Sequence, residues 1–335
     1  MLERWIRARE YARWSAENRR LTHPFAWGIE HLGGDSARDD PRAFLTRYAA
    51  QALADSDRFF AVTPAPWYKL AGDLLTFPSA LESAFPENNI VFARLFPTRS
   101  QGRMVIVLPH WHADWESHVN VCRFLNRFGL SAVRLSLPYH DRRMPPGLER
   151  ADYMVSPNIG LTLQASRQAV LDARRLVHWL RQQGYTKLAI LGTSLGSSVA
   201  FVTLAHEPAL RAGVFLHVST YFGDVVRTGL TTAHVWAGLK GQVSADELRH
   251  FWAPISPYPY VDKLVGTGKR CLLVSGRYDP SFLPEFSRAF WTALRQRGVP
   301  YELLLLPCGH YTLGSFPFNY WAGFRCARFL RRTLA

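Results

Sequence analysis

The sequence predicts an α/β fold: a mostly parallel central sheet with helices on both of its faces. Three observations predict it. From Asn89 onward, short β-rich runs alternate with helical stretches, as in a parallel sheet joined by crossover helices. Several of these runs are almost continuously apolar, as strands buried on both faces must be. One of them, 187–191, leads into Gly192-Thr193-Ser194-Leu195-Gly196 and then into small helix formers. That is a sharp strand-to-helix turn with a serine at its apex.

Residues 1–76 are rich in Arg, Trp and Ala at helical spacing and are expected to form a helical N-terminal extension, with 42–54 its plainest helix. Within the first twenty residues, six arginines (Arg4, Arg7, Arg9, Arg13, Arg19 and Arg20) surround Trp5, Ile6 and Trp14. Glu3, Glu10 and Glu17 interleave with them, which favours a helix packed on the core over a basic helix lying in a membrane interface. Residues 77–335 form the sheet-and-helix unit. Strands are expected at 90–96, 103–108, 131–137, 187–191, 212–218, 270–275 and 300–306, and helices at 115–128, 164–183, 195–206, 285–297 and 318–333. Gly129, Gly184 and Gly298 follow three of the helices, where a left-handed cap sits. Pro284 opens another, where its missing N–H is no loss. Residues 219–269 are too long for a single connection. Pro254, Pro257 and Pro259, with a Ser244/Glu247 capping box, mark a cap inserted between two strands.

A serine on such a turn projects its Oγ from the end of the strand, and glycines two residues to either side let strand and helix close together. Serine is a weak nucleophile near neutral pH and needs a base, which in turn needs an orienting carboxylate. Strand 270–275 runs out into Gly276-Arg277-Tyr278-Asp279, and strand 300–306 into Pro307-Cys308-Gly309-His310. Ser194, Asp279 and His310 therefore fall on loops at one edge of one sheet and are assigned as nucleophile, acid and base. Asp224, soon after strand 212–218, is the alternative acid. The oxyanion of an acyl transfer needs two backbone donors. One is the N–H of Leu195; the other comes from the loop after strand 103–108, from Trp111 or His110. That loop has no glycine, so Trp111 would narrow the pocket. His112, His140, Arg142 and Arg143 lie on the same edge as candidate substrate contacts. The arginine pair would hold a carboxylate or phosphate, or else belong to an ion-paired surface loop. Asp114 reads as the N-cap of helix 115–128.

These residues resemble the α/β-hydrolase superfamily. A narrower likeness, to the alpha/beta-hydrolase domain-containing protein eighteen family, rests on three stretches: Phe77-Pro-Ser-Ala-Leu-Glu-Ser83, Leu137-Pro138-Tyr139 followed by Arg142, Arg143 and Pro145, and 161–198 through the serine turn. It spans residues 77–310, and departs from many relatives at Ser197-Ser198, where they continue with glycine. The resemblance implies an α/β-hydrolase fold and a serine hydrolase of ester or lipid type.

Composition narrows the partners. Of 40 basic residues 35 are arginines, against 26 acidic ones, for a net charge of +14. They are scattered, many beside acidic neighbours, and no stacking or groove-reading motif accompanies them, so nucleic acid is not an expected partner. No run reaches the roughly 18 apolar residues of a membrane span. The first residues are charged every few positions and lack the apolar stretch of a secretory signal, so a cytoplasmic location is expected. Cys122, Cys271, Cys308 and Cys326 are far apart and read as buried, reduced thiols. His110, His112 and His140 lack ligand spacing, so no metal and no cofactor is expected. The expected reaction is hydrolysis of a carboxylic ester, on a small molecule or lipid, anionic if Arg142 and Arg143 face it. An acyltransferase or peptidase with the same three residues is the alternative, and a non-catalytic binding protein on this fold is the third reading. Nothing in the sequence sets the oligomeric state.

Overall fold

A computed structural model describes residues 1–17, 19–99 and 102–335. Strands β1 (Lys69–Ala71), β2 (Leu74–Pro78), β3 (Ile90–Phe96), β4 (Arg103–Leu108), β5 (Ser131–Leu135), β6 (Lys187–Thr193), β7 (Leu210–Leu216), β8 (Arg270–Gly276) and β9 (Tyr301–Leu306) make one nine-stranded sheet. Their order is β1-β2-β3-β5-β4-β6-β7-β8-β9. From β5 to β9 every pairing is parallel; β1, β2 and β3 join antiparallel at one side.

The helices, in chain order, are α1 (Leu2–Ala16), α2 (Pro41–Ala54), α3 (Ser56–Phe59), α4 (Val119–Asn126), α5 (Ile159–Gln182), α6 (Leu195–His206), α7 (Phe222–Thr228), α8 (Ala233–Leu239), α9 (Ala245–Phe251), α10 (Pro284–Gln296) and α11 (Phe318–Thr333). Because successive side chains of a strand point to opposite faces, each continuous apolar run feeds two cores. Strand β4 sends Met104, Ile106 and Leu108 into one core and Val105 and Val107 into the other. Strand β8 divides Cys271 and Leu273 from Leu272 and Val274 in the same way. The first core lies under α5, α6, α10 and the β7–β8 segment; the second lies under α1, α4 and α11. Each fully buried Leu, Ile or Val contributes about 1.5–3 kcal/mol, so such double-faced runs dominate the stability of the sheet.

Strands β1 and β2 go beyond the expected set. β2 alternates, with Leu75 and Phe77 buried between more exposed neighbours, and lacks the continuous apolar run that marks the central strands. The division expected after residue 76 falls inside this strand. Helix α5 starts at Ile159, five residues before the expected start, because the Asn158 side chain accepts the Leu161 N–H at 2.9 Å. Asp114 does not cap α4. It accepts the N–H and the hydroxyl of Ser117, both at 2.7 Å, closing a separate turn ahead of the helix, whose N-cap is His118. Residues 219–269 contain α7, α8, α9 and short 3-10 turns, and the Ser244/Glu247 capping box is formed. All four cysteines are buried free thiols. Among the described residues, no helix is long and apolar enough to cross a membrane.

Candidate active site

Ser194 sits between the last residue of β6 and the first of α6, with φ 56° and ψ −120°. A non-glycine residue in that region stores about 1–3 kcal/mol of strain, so its surroundings must hold it there. They do so by close backbone approach. A Cβ on Gly192 would lie 2.1 Å from the Gly196 carbonyl oxygen, and one on Gly196 would lie 2.3 Å from the Pro109 oxygen. Only glycine fits either position. The Ser194 N–H donates to Leu216 O at 2.8 Å. The Ser197 hydroxyl lies 2.6 Å from Ser194 O and 2.9 Å from His217 O, and its single proton ties the turn to the end of β7.

The three residues assigned from sequence come together. His310 Nε2 is 3.0 Å from Ser194 Oγ, and His310 Nδ1 is 3.1 Å from Asp279 Oδ2. The carboxylate facing Nδ1 keeps the proton on that nitrogen, which leaves a lone pair on Nε2 for the serine hydroxyl. Asp279 is itself fixed, since its Oδ1 accepts the N–H groups of Ser281 (2.7 Å) and Phe282 (2.9 Å). Burial alone would raise the Asp279 carboxyl; the adjoining His310 and His217 outweigh it and hold it far below the usual carboxylate range. Burial alone would lower His310. The Asp279 charge and hydrogen bond, with the charge of Glu10, hold it above its ordinary value. Asp224, the alternative acid, lies elsewhere: its carboxylate is paired with Arg249 of α9 at 3.0 Å.

A fourth group was not legible. His217, in the turn after β7, has Nδ1 2.7 Å from Asp279 Oδ2, the same oxygen that faces His310, and its side chain is 2% exposed. It has φ 63°, and its ring centroid is 4.4 Å from that of His310. Burial first, then the neighbouring His310, pushes its imidazole below the ordinary value, so it meets the carboxylate as a neutral ring. The strand-end rule that selected Asp279 and His310 also selects His217. The expected strand ran through 218 and enclosed it. Replacing His217 with Phe keeps the ring and removes the donor. An Asp279 relieved of one donor binds the His310 proton more strongly, so the acid limb of kcat/KM should move to higher pH, with about a tenfold loss of rate from one charge-assisted hydrogen bond. A pH–rate profile checks this. The ligating atoms of His217, Asp279 and His310 lie within 4.8 Å of one another, yet a cation there would have to displace both Nδ1 protons from the carboxylate.

Leu195 opens α6, and Gly196 lies against the carbonyls of Leu108 and Pro109, which sets the 109–113 loop beside the serine. Among the described residues, the backbone N–H groups of Leu195, His110 and Trp111 have no acceptor. The Trp111 indole donates to Ala151 O at 2.9 Å and stacks with the ring of His112 and with that of His234 from α8. No sequence signal marked His234.

The four candidate substrate contacts are turned to other work. His140 is fully buried; its Nδ1–H donates to Pro138 O at 2.8 Å, and its Nε2 accepts the His112 N–H at 3.0 Å. Burial pushes it to about 3, so it stays neutral and holds His112 at φ 60°, a left-handed backbone that glycine more often takes. His118, half-buried and also pushed to about 3, packs edge-on against His110. The ring of His112 faces Arg150 at 2.6 Å and accepts the Ala151 N–H at 3.1 Å. Arg143 is fully buried, paired with Asp172 Oδ2 at 2.9 Å and donating to Asn88 O and Ser136 O. Arg142 is exposed and lies over the Trp115 ring at 4.5 Å. An Arg-Arg pair after a strand cannot announce which way each side chain turns, and Arg143's partner sits in the middle of α5.

The sheet order, the strand-end loops and the serine turn define the α/β-hydrolase fold. Residues 161–314 match the prolyl oligopeptidase family. No curated protein matches the chain by sequence. Among solved structures, an esterase of Pyrococcus furiosus is 17% identical, with TM-score 0.54, over 82% of this chain and 97% of the other. An acetyl xylan esterase of Paenibacillus sp. R4 is 13% identical, with TM-score 0.59, over 85% and 94%. An acylaminoacyl peptidase of Pyrococcus horikoshii is 11% identical, with TM-score 0.56, over 81% of this chain but 42% of its own.

Proposed function

We propose that the chain is a serine hydrolase that cleaves a carboxylic ester through an acyl-enzyme on Ser194. The observation that carries this reading is the unbroken relay from Ser194 Oγ through both nitrogens of His310 to Asp279. Ser194 Oγ attacks the ester carbonyl while His310 Nε2 takes its proton; the imidazolium then protonates the departing alcohol. Water repeats the sequence on the acyl-enzyme. The N–H groups of Leu195 and of Trp111 or His110 hold the oxyanion, each contributing about 3–4 kcal/mol where such a donor has been removed. With Arg143 paired and Arg142 stacked, neither gives a reason to favour an anionic ester. Residues 219–269 serve as the cap that meets the loop through His234, and residues 1–76 as the extension. Four reduced, buried thiols suit a cytoplasmic setting.

The narrower likeness to the alpha/beta-hydrolase domain-containing protein eighteen family is supported by what its residues do together. Ser79 Oγ donates to Asp172 at 2.7 Å, Arg143 pairs with the same carboxylate, and the Tyr139 N–H donates to Asn88 Oδ1 at 3.0 Å. The signature is one buried network rather than three separate motifs. A second reading, peptide hydrolysis, is favoured by the prolyl oligopeptidase match. Fluorophosphonate labelling, followed by rates on p-nitrophenyl esters of increasing acyl length and on matched p-nitroanilides, tests both. Labelling at Ser194 with faster ester cleavage is expected. Faster anilide cleavage favours the peptidase, and a chain that takes no label overturns the hydrolase reading.

A further inference from the structure

We propose that Glu10 of α1 is a positioning residue for His310, so that the N-terminal helix acts as a clasp on the loop carrying the base. This rests on the reading of Ser194, His310 and Asp279 just given. Ile6, Glu10 and Arg13 fall on one face of α1 at i, i+4 and i+7 spacing. Ile6 is buried in the core shared with Leu313, and Glu10 is buried with no exposure at all. Its carboxylate accepts the N–H groups of Tyr311 and Thr312, each at 2.8 Å, the two residues that directly follow His310. It also fills the space over Gly309, where a Cβ would lie 2.5 Å from Glu10 Cδ. The residue before His310 and the two after it thus rest on one carboxylate. Arg13 completes the grip, donating to Tyr311 O at 2.8 Å and to Ser315 Oγ at 2.7 Å.

Docking a helix needs only an apolar side chain at this position. A fully buried carboxylate is expensive unless it is well hydrogen-bonded, and among the described residues no cation lies in ion-pair range of it. What it organises is the backbone on either side of the base. It also bears on the chemistry. The groups facing His310 are Asp279 after β8, His217 after β7, His110 after β4 and Glu10 from α1. Asp279 and Glu10 carry the negative charge that favours the imidazolium formed when His310 takes the serine proton.

The test is the pH dependence of Ser194 phosphonylation by a fluorophosphonate, on the full chain, for wild type, Glu10→Gln and Arg13→Ala. Glu10→Gln keeps the shape and removes the charge. It should react about 10- to 100-fold more slowly, as expected for a base displaced by a fraction of an ångström. Its acid limb should move to lower pH, because one charge favouring the His310 proton is gone. A merely structural lesion would reduce the labelled fraction without moving the limb. Arg13→Ala loosens the loop but leaves the carboxylate, so a few-fold loss with an unmoved limb is expected. A Glu10→Gln protein with wild-type rate and limb overturns the inference. If that variant fails to fold, an Arg13→Ala protein with wild-type rate overturns it. A wild type that takes no label at Ser194 overturns the hydrolase reading and this inference with it; a wild type that labels beside an unaltered Glu10→Gln overturns the inference alone.

Discussion

Replacing Ser194 with Ala should lower ester turnover about 10⁶-fold while leaving the fold in place. Among the described residues, Ser194 Oγ is the group bonded to His310 Nε2, and the nearby Ser197 Oγ is held by Ser194 O and His217 O. Ala can occupy φ 56° under the same backbone constraints, so the melting temperature should change by no more than a few degrees while fluorophosphonate labelling disappears. Residual rate of about 10³–10⁴ over water is expected from the oxyanion donors and substrate binding. A variant within tenfold of wild type would mean that the chemistry lies elsewhere.

Asp279→Asn should lower kcat about 10⁴-fold, the scale of a triad forced into the wrong tautomer. Asp279 Oδ1 takes two backbone N–H bonds, and Oδ2 faces the Nδ1 atoms of both His310 and His217. An Asn whose oxygen keeps the two backbone donors must turn its NH₂ toward the two imidazoles. Each ring then moves its proton to Nε2, and His310 has no lone pair left for the serine. The charge that holds His310 above its ordinary value is lost as well, so the residual activity should carry an acid limb at lower pH. A single-turnover pH profile against wild type measures both effects. His217→Phe, which leaves the carboxylate intact, should lose far less and move the limb the opposite way.

The proposed catalytic set was legible because it follows from a rule about strand ends. Ser194, Asp279 and His310 each directly follow or lie just beyond an apolar run, and parallel strands bring such ends to one edge. The central strands were legible for the same reason, since β4, β6 and β8 are apolar on both faces. Legibility stops where a role depends on the direction of a side chain. His140, Arg142 and Arg143 are on the expected loop, yet one supports the 109–113 turn, one stacks on Trp115 and one is sealed against Asp172. It stops again where partners are remote in the chain. Glu10 meets Tyr311 across 301 positions, and no local pattern joins a helix near one end to a loop near the other. β2 escaped because a strand that alternates beside Pro78 carries little of the signal that betrays a doubly buried one.

The uncharged rings beneath the 109–113 loop give the protein an acid threshold. His118 and His140 are pushed to about 3 by burial, whereas an unfolded chain protonates them near its ordinary value of about 6.5. Below that point the unfolded state binds protons that the folded state refuses. The stability these two rings contribute is therefore complete above about pH 6.5 and falls as the medium grows more acidic, by about 1.4 kcal/mol per pH unit for each ring, until about pH 3. Urea midpoints should slope downward between about pH 6 and pH 4; a midpoint level through pH 5 would contradict this. A proton that enters His140 lands on the nitrogen that accepts the His112 N–H. Protonation there removes that acceptor and slackens the loop beside Ser194.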